Sequence, residues 1–287
     1  MHSVKIARCL ILIIPAFIAL LAPISGQAQI NDLQDNLPSA SSVMQERGER
    51  GFQLVISQPG YYSLRRDIRV QNGDGIVISA SNVTLDLGGH TVTTQSPGTG
   101  RGIFVSGASN VAIKNGKLTG FQTNVMVLNS ANVTAEHLQI SGLGLAPAGG
   151  PSEIGIQLLN TRSARINDNT IHSVNLGIFV RGGQSTGNRI FKNIVVGGAV
   201  AGNNLLGICY NPAPGGAADD PGPSGDNIYN NHIARFGFAV SISAGSLGNI
   251  FNENTFASFN GPYRDPQAFT QGGGTNLADG NLSTIIQ

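Results

Sequence analysis

Residues 75–87 read GIVISASNVTLDL and residues 102–118 read GIFVSGASNVAIKNGKL. Each stretch opens on glycine, runs through an apolar triplet, turns through small polar residues and enters a second apolar run. The plan returns at Asn124 (NVMVLNSANVTAEHLQI), Gly155 (GIQLLNTRSARINDNTI), Gly177 (GIFVRGGQSTGNRIFKNIV), Gly207 (GICY, completed by DNIYNNHI) and Ala239 (AVSISAGSLGNIFNENTF). Successive starts lie 27, 22, 31, 22, 30 and 32 residues apart, which is the spacing of stacked repeats. The apolar positions alternate as in strands, with almost no helical period. One such unit cannot bury its apolar face alone, so the units must stack into a solenoid.

Alternation also gives the register. Ile76 and Ile78, Ile103 and Val105, Val125 and Val127, Ile156 and Leu158, Ile178 and Val180, Ile208 and Tyr210 should point inward along the first strand of each unit. Val83 and Leu85, Val111 and Ile113, Val133 and Ala135, Ala164 and Ile166, Ile190, Ile228 and Phe251 should do so along the second. Asn169, Asn193, Asn231 and Asn254 each follow the last inward aliphatic of a second strand by three residues. Aligned amides of this kind can hydrogen-bond from rung to rung, so a structural ladder is expected there.

Composition agrees with a folded, turn-rich β protein. Glycine accounts for 39 of 287 residues and charged residues for 11%, the reverse of the highly charged, aliphatic-poor composition of disordered chains. Residues 1–28 read as an export signal: Lys5 and Arg8, an apolar run over 9–21, then Gly26 and Ala28 at a small-residue cleavage site. The run is too short to span a bilayer, so no membrane anchor is expected in the mature chain. Cleavage would leave 15 basic against 16 acidic residues and a single cysteine, Cys209, with no intrachain disulfide. A near-neutral chain gives no reason to expect nucleic acid as a partner. The oligomeric state is not legible.

The expected organisation is a signal peptide (1–28), an N-terminal linker or cap (29–51), the solenoid (52–256) and a C-terminal tail or cap (257–287). Insertions at 143–153, 197–205 and 211–226 lengthen three rungs, and insertions in a solenoid often wall a groove.

The pattern resembles the right-handed parallel β-helix proteins of the pectin-lyase-like superfamily, including a short-repeat group with periplasmic copper-delivery and sugar-processing members. The resemblance covers residues 59–256 and is most specific at PGYYSLRRDIRV (59–70) and DGIVISASNVTLDLGGHTV (74–92). It implies an all-β, right-handed parallel β-helix of about seven or eight coils with capped ends. It implies no one activity, since this scaffold hosts lyases, hydrolases, epimerases, adhesins and assembly factors. Of the short motifs of polygalacturonase-like hydrolases only Asp219-Asp220 is present, within a Pro/Gly-rich loop, and the Arg-x-Pro-x-x-Arg pattern of pectate-lyase-like enzymes is absent. No family catalytic residue carries over.

Candidate chemistry must therefore come from the outward face. Asp86, Lys114, Glu136 and Asn167 share one outward position on consecutive rungs, and Asn115, His137, Asp168, Lys192 and Glu253 share the next. His137, Asp168 and Lys192 within a few ångströms of one another would make an acid/base unit for a uronic acid or a glycosidic oxygen, with Glu136 and Lys114 beside it. The same residues also suit a plain alternating charge ladder on a solvated face. A second outward line, Val77, Phe104, Met126, Gln157, Phe179 and Cys209, forms an apolar strip. Uncovered, it would be a carbohydrate platform with Phe104 and Phe179 as stacking faces and Arg101 and Arg181 for carboxylates; otherwise a loop or the tail covers it. The expected partner is an extended polysaccharide, with lyase, hydrolase or epimerase chemistry as an extension, and a non-catalytic adhesive or structural module as the alternative. No cofactor is expected beyond weak calcium binding by Asp219, Asp220 and Asp226. His90, His137, His172 and His232 are spread too widely for metal delivery.

Overall fold

The computed structural model describes residues 53–144, 153–198, 205–211, 222–242, 245–264 and 276–285. The expected signal peptide and N-terminal cap lie outside these residues. Every strand pairing among the described residues is parallel, and the pairings connect into a right-handed β-helix.

Each rung carries three strands, where the sequence pattern suggests two. The first sheet stacks Leu54–Ile56, Ile76–Ile78, Thr99–Ser106, Phe121–Leu128, Ile154–Leu159, Leu176–Arg181 and Leu206–Asn211, then the C-terminal parts of His232–Ile242 and Thr255–Arg264. The second sheet runs from Gly60–Ser63 and Val83–Asp86 through to Ile250–Asn252 and Leu277–Asp279. The third begins with Ile68–Val70 and Thr91–Thr94 and ends with Leu282–Ile285. Its inward residues are Ile68, Val92, Leu118, Ile140, Ile171, Val195, Ile233 and Phe256, all buried. The third strand hides in the sequence because the corner before it is a single residue. Ser109–Thr119 and Ala131–Ser141 each run unbroken through the bend, at Asn115 (φ 59°) and His137 (φ 53°).

The described residues make nine rungs by these pairings, more than the pattern suggests because it dissolves at both ends. Part of the segment expected as a C-terminal tail or cap (257–287) forms the last rung. Leu277–Asp279 and Leu282–Ile285 continue the second and third sheets in register with Ile250–Asn252 and Thr255–Arg264. Apolar alternation is lost there because Leu277 and Leu282 are exposed, so hydrophobicity no longer marks the strand.

All the inward aliphatics named from alternation are buried in one continuous core. Units begin on glycine because the chain enters the first sheet against the rung above. A Cβ at Gly155 would sit 2.5 Å from the Gly177 carbonyl oxygen and 2.6 Å from Ile171 Cγ2.

The asparagine ladder is present and longer than its sequence signal. The Asn169 N–H and side-chain amide donate to Asn193 Oδ1 (3.1 and 3.0 Å), Asn193 to Asn231 (3.0 and 3.0 Å), Asn231 to Asn254 (3.0 and 2.9 Å) and Asn254 to Asn281 (2.9 and 3.0 Å). Each amide also donates to a backbone carbonyl of the rung before, as Asn193 does to Ile166 at 2.8 Å. A second buried ladder, Asn188, Asp226, Asn249 and Asn276, opens the second sheet on four successive rungs. It replaces the aliphatic column of Val83, Val111, Val133 and Ala164. Its signal in the sequence is the repeated small residue plus amide or acid before the strand: Gly187-Asn188, Gly225-Asp226, Gly248-Asn249 and Thr275-Asn276.

Candidate functional site

His137, Asp168 and Lys192 do fall on three adjacent rungs, each one residue past the register-paired Glu136, Asn167 and Phe191. The position they share is the second corner, between the second and third sheets, and its backbone is left-handed: φ is 53°, 55° and 56° in turn. Asn115, Asn230, Glu253 and Gly280 occupy the same corner with the same sign of φ. Left-handed geometry points these side chains away from the solenoid, and all three candidates are exposed. Asp168 accepts a hydrogen bond from the Asn167 amide at 2.9 Å, while no ion pair among the described residues links it to His137 or Lys192.

Lys114 and Glu136 sit on the outer face of the second sheet in the predicted column Asp86, Lys114, Glu136, Asn167, which continues as Phe191, Tyr229, Asn252 and Asp279. Lys114 Nζ lies 3.8 Å from Asp86, and the Asn167 amide reaches Glu136 at 3.4 Å. Burial pushes the Asp86 carboxyl up, but the Gly88 N–H, the Asn115 amide, the Tyr61 hydroxyl and Lys114 together hold it below its ordinary value. This is a charge and amide ladder in which Asn167 Oδ1 and Asn252 Oδ1 are buried without a hydrogen-bond partner.

Phe104, Phe179 and Arg181 belong to a different face. In cross-section the chain passes the first sheet, first corner, second sheet, second corner and third sheet, so the second corner lies opposite the first sheet. Phe104, Phe179 and Arg181 therefore do not meet His137, Asp168 and Lys192, whereas Lys114 and Glu136 lie beside them on the second sheet. On the first sheet the line Val55, Val77, Phe104, Met126, Gln157, Phe179, Cys209, Ser241 is in strict register. Val77, Phe104 and Met126 are half-buried, whereas Gln157, Phe179, Cys209 and Ser241 are buried. Phe179 and Cys209 pack with Ile154 and Leu206. Phe104 carries the Arg101 guanidinium over its ring at 3.5 Å, and Arg101 is forked onto Asp74 at 2.8 and 2.6 Å. Neither aromatic face is an open platform: one holds an arginine and the other is buried.

The first corner, between the first and second sheets, offers more. A groove there is lined by Ser109, Asn129, Ser130, Ala131, Asn160, Arg162 and Gln184, residues of four successive rungs. Asn129 (φ 48°) and Asn160 (φ 52°) hold left-handed corners, and the Asn160 amide donates to Asn129 Oδ1 at 3.3 Å. Arg181 flanks this groove at the end of its first-sheet strand, accepting the Asn160 N–H at its carbonyl (3.0 Å). Its guanidinium lies 4.9 Å from the Phe179 centroid, its Nε is buried without a hydrogen-bond partner, and burial pulls its pKa below the usual arginine value. The insertions at 143–153 and 197–205 lead into first-sheet strands and that at 211–226 leads out of one. All three thus attach at the edges of this sheet.

Of the expected calcium ligands, Asp219 and Asp220 lie outside the described residues. Asp226 is buried in the second ladder, accepting from the Asn188 N–H (2.7 Å) and the Tyr210 hydroxyl (3.2 Å), so it faces the core rather than a loop cavity. Among the described residues no group of three His, Cys, Asp or Glu side chains could hold a metal ion.

The sequence profile of the right-handed β-helix region matches residues 64–213, just over half of the 287-residue chain. The chain belongs to this family. No curated protein matches it in sequence. Among solved structures, this β-helix is similar to the Dettilon tailspike protein (15% identity, TM-score 0.49, covering 79% of this chain and 50% of that one). It is also similar to an alginate lyase from a Paenibacillus species (15%, TM-score 0.45, 86% of both chains). A third match is the Streptococcus pneumoniae surface protein and adhesin PfbA (11%, TM-score 0.38, covering 88% of this chain and 93% of that one). The chain spans half the length of the tailspike protein. At these identities the likeness is one of fold. No helix among the described residues of this β-helix is long and apolar enough to cross a membrane.

The corner groove escaped the sequence reading because alternation describes strands and not the residues between them. Its signal is the corner series Gly107-Ala-Ser, Asn129-Ser-Ala and Asn160-Thr-Arg.

Proposed function

We propose that this chain is an exported β-helix module that binds an extended polysaccharide running along the solenoid axis at the first corner and the adjoining edge of the first sheet. The observation that carries the reading is the groove lined by Ser109, Asn129, Ser130, Ala131, Asn160, Arg162 and Gln184. Amides, hydroxyls and a guanidinium repeat there from rung to rung at about 4.8 Å, which suits a polymer of repeated hydroxyl-bearing units better than a compact ligand. The half-buried Val77 and Met126 on the neighbouring face give apolar contact beside the groove. The insertion at 211–226 leaves the first sheet at this same corner, ahead of Asn227–Tyr229. Export rests on the charged start and apolar run of residues 1–28. The reading needs no cofactor.

A polysaccharide panel tests it, with binding, unsaturated-product absorbance and reducing-end release followed together. Binding without turnover that weakens in Asn160→Ala or Gln184→Ala supports the module. Turnover abolished in His137→Ala would instead place lyase, hydrolase or epimerase chemistry at the second corner. Silence on every glycan would sink the reading and leave the adhesive, protein-binding alternative.

A further inference from the structure

Arg162, Arg165, Arg181 and Arg189 fall on two adjacent rungs and wrap around the first corner. Arg181 ends a first-sheet strand, Arg162 lies on the corner itself, and Arg165 and Arg189 open second-sheet strands in direct register with each other. Arg162, Arg165 and Arg189 are exposed and Arg181 is half-buried. Rung stacking sets the Arg165 and Arg189 backbones about 4.8 Å apart, a spacing at which two exposed like charges repel. Two cations on earlier rungs are neutralised from one rung away: Arg101 is forked onto Asp74 and Lys114 lies beside Asp86. None of the four corner arginines has an ion pair among the described residues. The nearest acids along the second-sheet strands, Glu136 and Asp168, lie at the opposite end, on or beside the second corner.

Two of the four guanidiniums lie against aromatic rings. Arg165 is 5.6 Å from the Phe191 centroid, Phe191 stacks on Tyr229 (5.0 Å, 2° between planes), and Arg181 is 4.9 Å from Phe179. A ring beneath an arginine restricts its plane and leaves the edge of the fork facing outward. The groove with Asn129, Asn160 and Gln184 runs between the two sides of the cluster. Concentrated unpaired cations on a chain whose formal net charge is only +1 call for an anion from outside, and planar forks beside amides fit a carboxylate or sulfate on a hydroxyl-bearing chain.

We infer that the polysaccharide bound here is acidic, and that Arg162, Arg165, Arg181 and Arg189 read the carboxylates or sulfate esters of successive units as it crosses the first corner. This rests on the polysaccharide reading above and names its substrate class. Nucleic acid is the competing polyanion. The narrow cluster and the near-neutral remainder of the chain provide no extended basic track for its backbone.

The test is equilibrium binding of the full chain to polygalacturonate, alginate, a sulfated glycosaminoglycan, neutral xylan, neutral β-glucan and single-stranded DNA, at low and high salt. Arg165→Gln/Arg189→Gln is the diagnostic variant, because both residues are exposed and glutamine keeps the stem, and a thermal melt checks that it folds as the parent does. The inference expects acidic glycans to bind, salt to weaken them, and the double variant to lose roughly tenfold or more in affinity. The uronate and sulfate arms tell which anion is read. Neutral glycans bound as tightly as acidic ones without salt dependence would overturn the inference and leave the general reading standing. Acidic binding unchanged in the variant would overturn the site, and DNA bound as tightly as the acidic glycans would overturn the ligand class. No binding to any glycan would remove both.

Discussion

His137 is shaped by its backbone before it is shaped by any chemistry. At φ 53° an L-residue pays about 1–2 kcal/mol for its Cβ, which glycine avoids. His137→Gly is therefore expected to keep or raise stability by up to about 1 kcal/mol, and His137→Val to lower it by about 1–2 kcal/mol, both read from urea unfolding midpoints. A residue kept for turnover would instead show up as lost activity in both variants. Asp226 makes the opposite case, a titratable group whose surroundings are all interior. Burial raises its pKa from an ordinary 3.8 to about 6, against the Asn188 and Tyr210 hydrogen bonds, which pull it down. The native state then holds the proton more tightly than the unfolded chain between about pH 4 and pH 6. Stability from this group is greatest below that window, falls as pH rises through it and is flat above, a swing of about 3 kcal/mol. Asp226→Asn removes the charge and supplies the donor that Asn188, Asn249 and Asn276 already have. It is expected to be more stable than the parent at pH 7, with the gap closing as pH falls to 4. A gap independent of pH would mean that the carboxyl ionises without penalty.

Strands and ladders differ in how far they can be read from sequence, and the reason is physical. Alternation records which side of a strand faces the core, so the inward aliphatics of the first and second sheets were legible from Ile76 to Phe251 apart from Val240 and Ile242. The third sheet was not, because one left-handed residue such as Asn115 turns the chain without ending the strand and shifts the alternation by one position, from Ile113 to Gly116. The ladder through Asn169, Asn193, Asn231 and Asn254 was legible because four amides recur at one position, while its partner through Asn188 and Asp226 was masked by the aliphatics that fill the same place in earlier rungs. Of the candidate site residues, stacking order was legible but the face was not: His137 and Phe104 lie on opposite sides because an unseen third strand closes the triangle. The ladder has a measurable weight. In Asn193→Ala the Asn169 N–H loses its acceptor, and the carbonyls of Ile166 and Phe191 lose a donor. Each buried group left unpaired costs about 1–3 kcal/mol, so a loss of about 2–5 kcal/mol is expected in chemical unfolding. Gln184→Ala, on the exposed corner, should change stability by no more than about 0.5 kcal/mol.

A stacked molecule couples each rung mainly to its two neighbours, so stability is close to a sum of rung and interface contributions. The ninth rung serves as a lid on the eighth. Asn276 accepts the Asn249 N–H at 3.0 Å and Asn281 accepts that of Asn254 at 2.9 Å, while Leu277 and Leu282 are themselves exposed. Deleting residues 265–287 removes both acceptors and bares the second and third sheets of the rung before. If coupling is local, the shortened chain remains folded and its melting temperature drops. Hydrogen exchange then rises over residues 245–264 and is unchanged over 76–128, four or more rungs away. Acidic-glycan affinity should also survive, because the first-corner arginines lie between residues 162 and 189, with the rung of Leu206–Asn211 and Asn227–Tyr229 still stacked above them. Exchange that accelerates evenly along the whole chain would show instead that the rungs unfold as one cooperative unit.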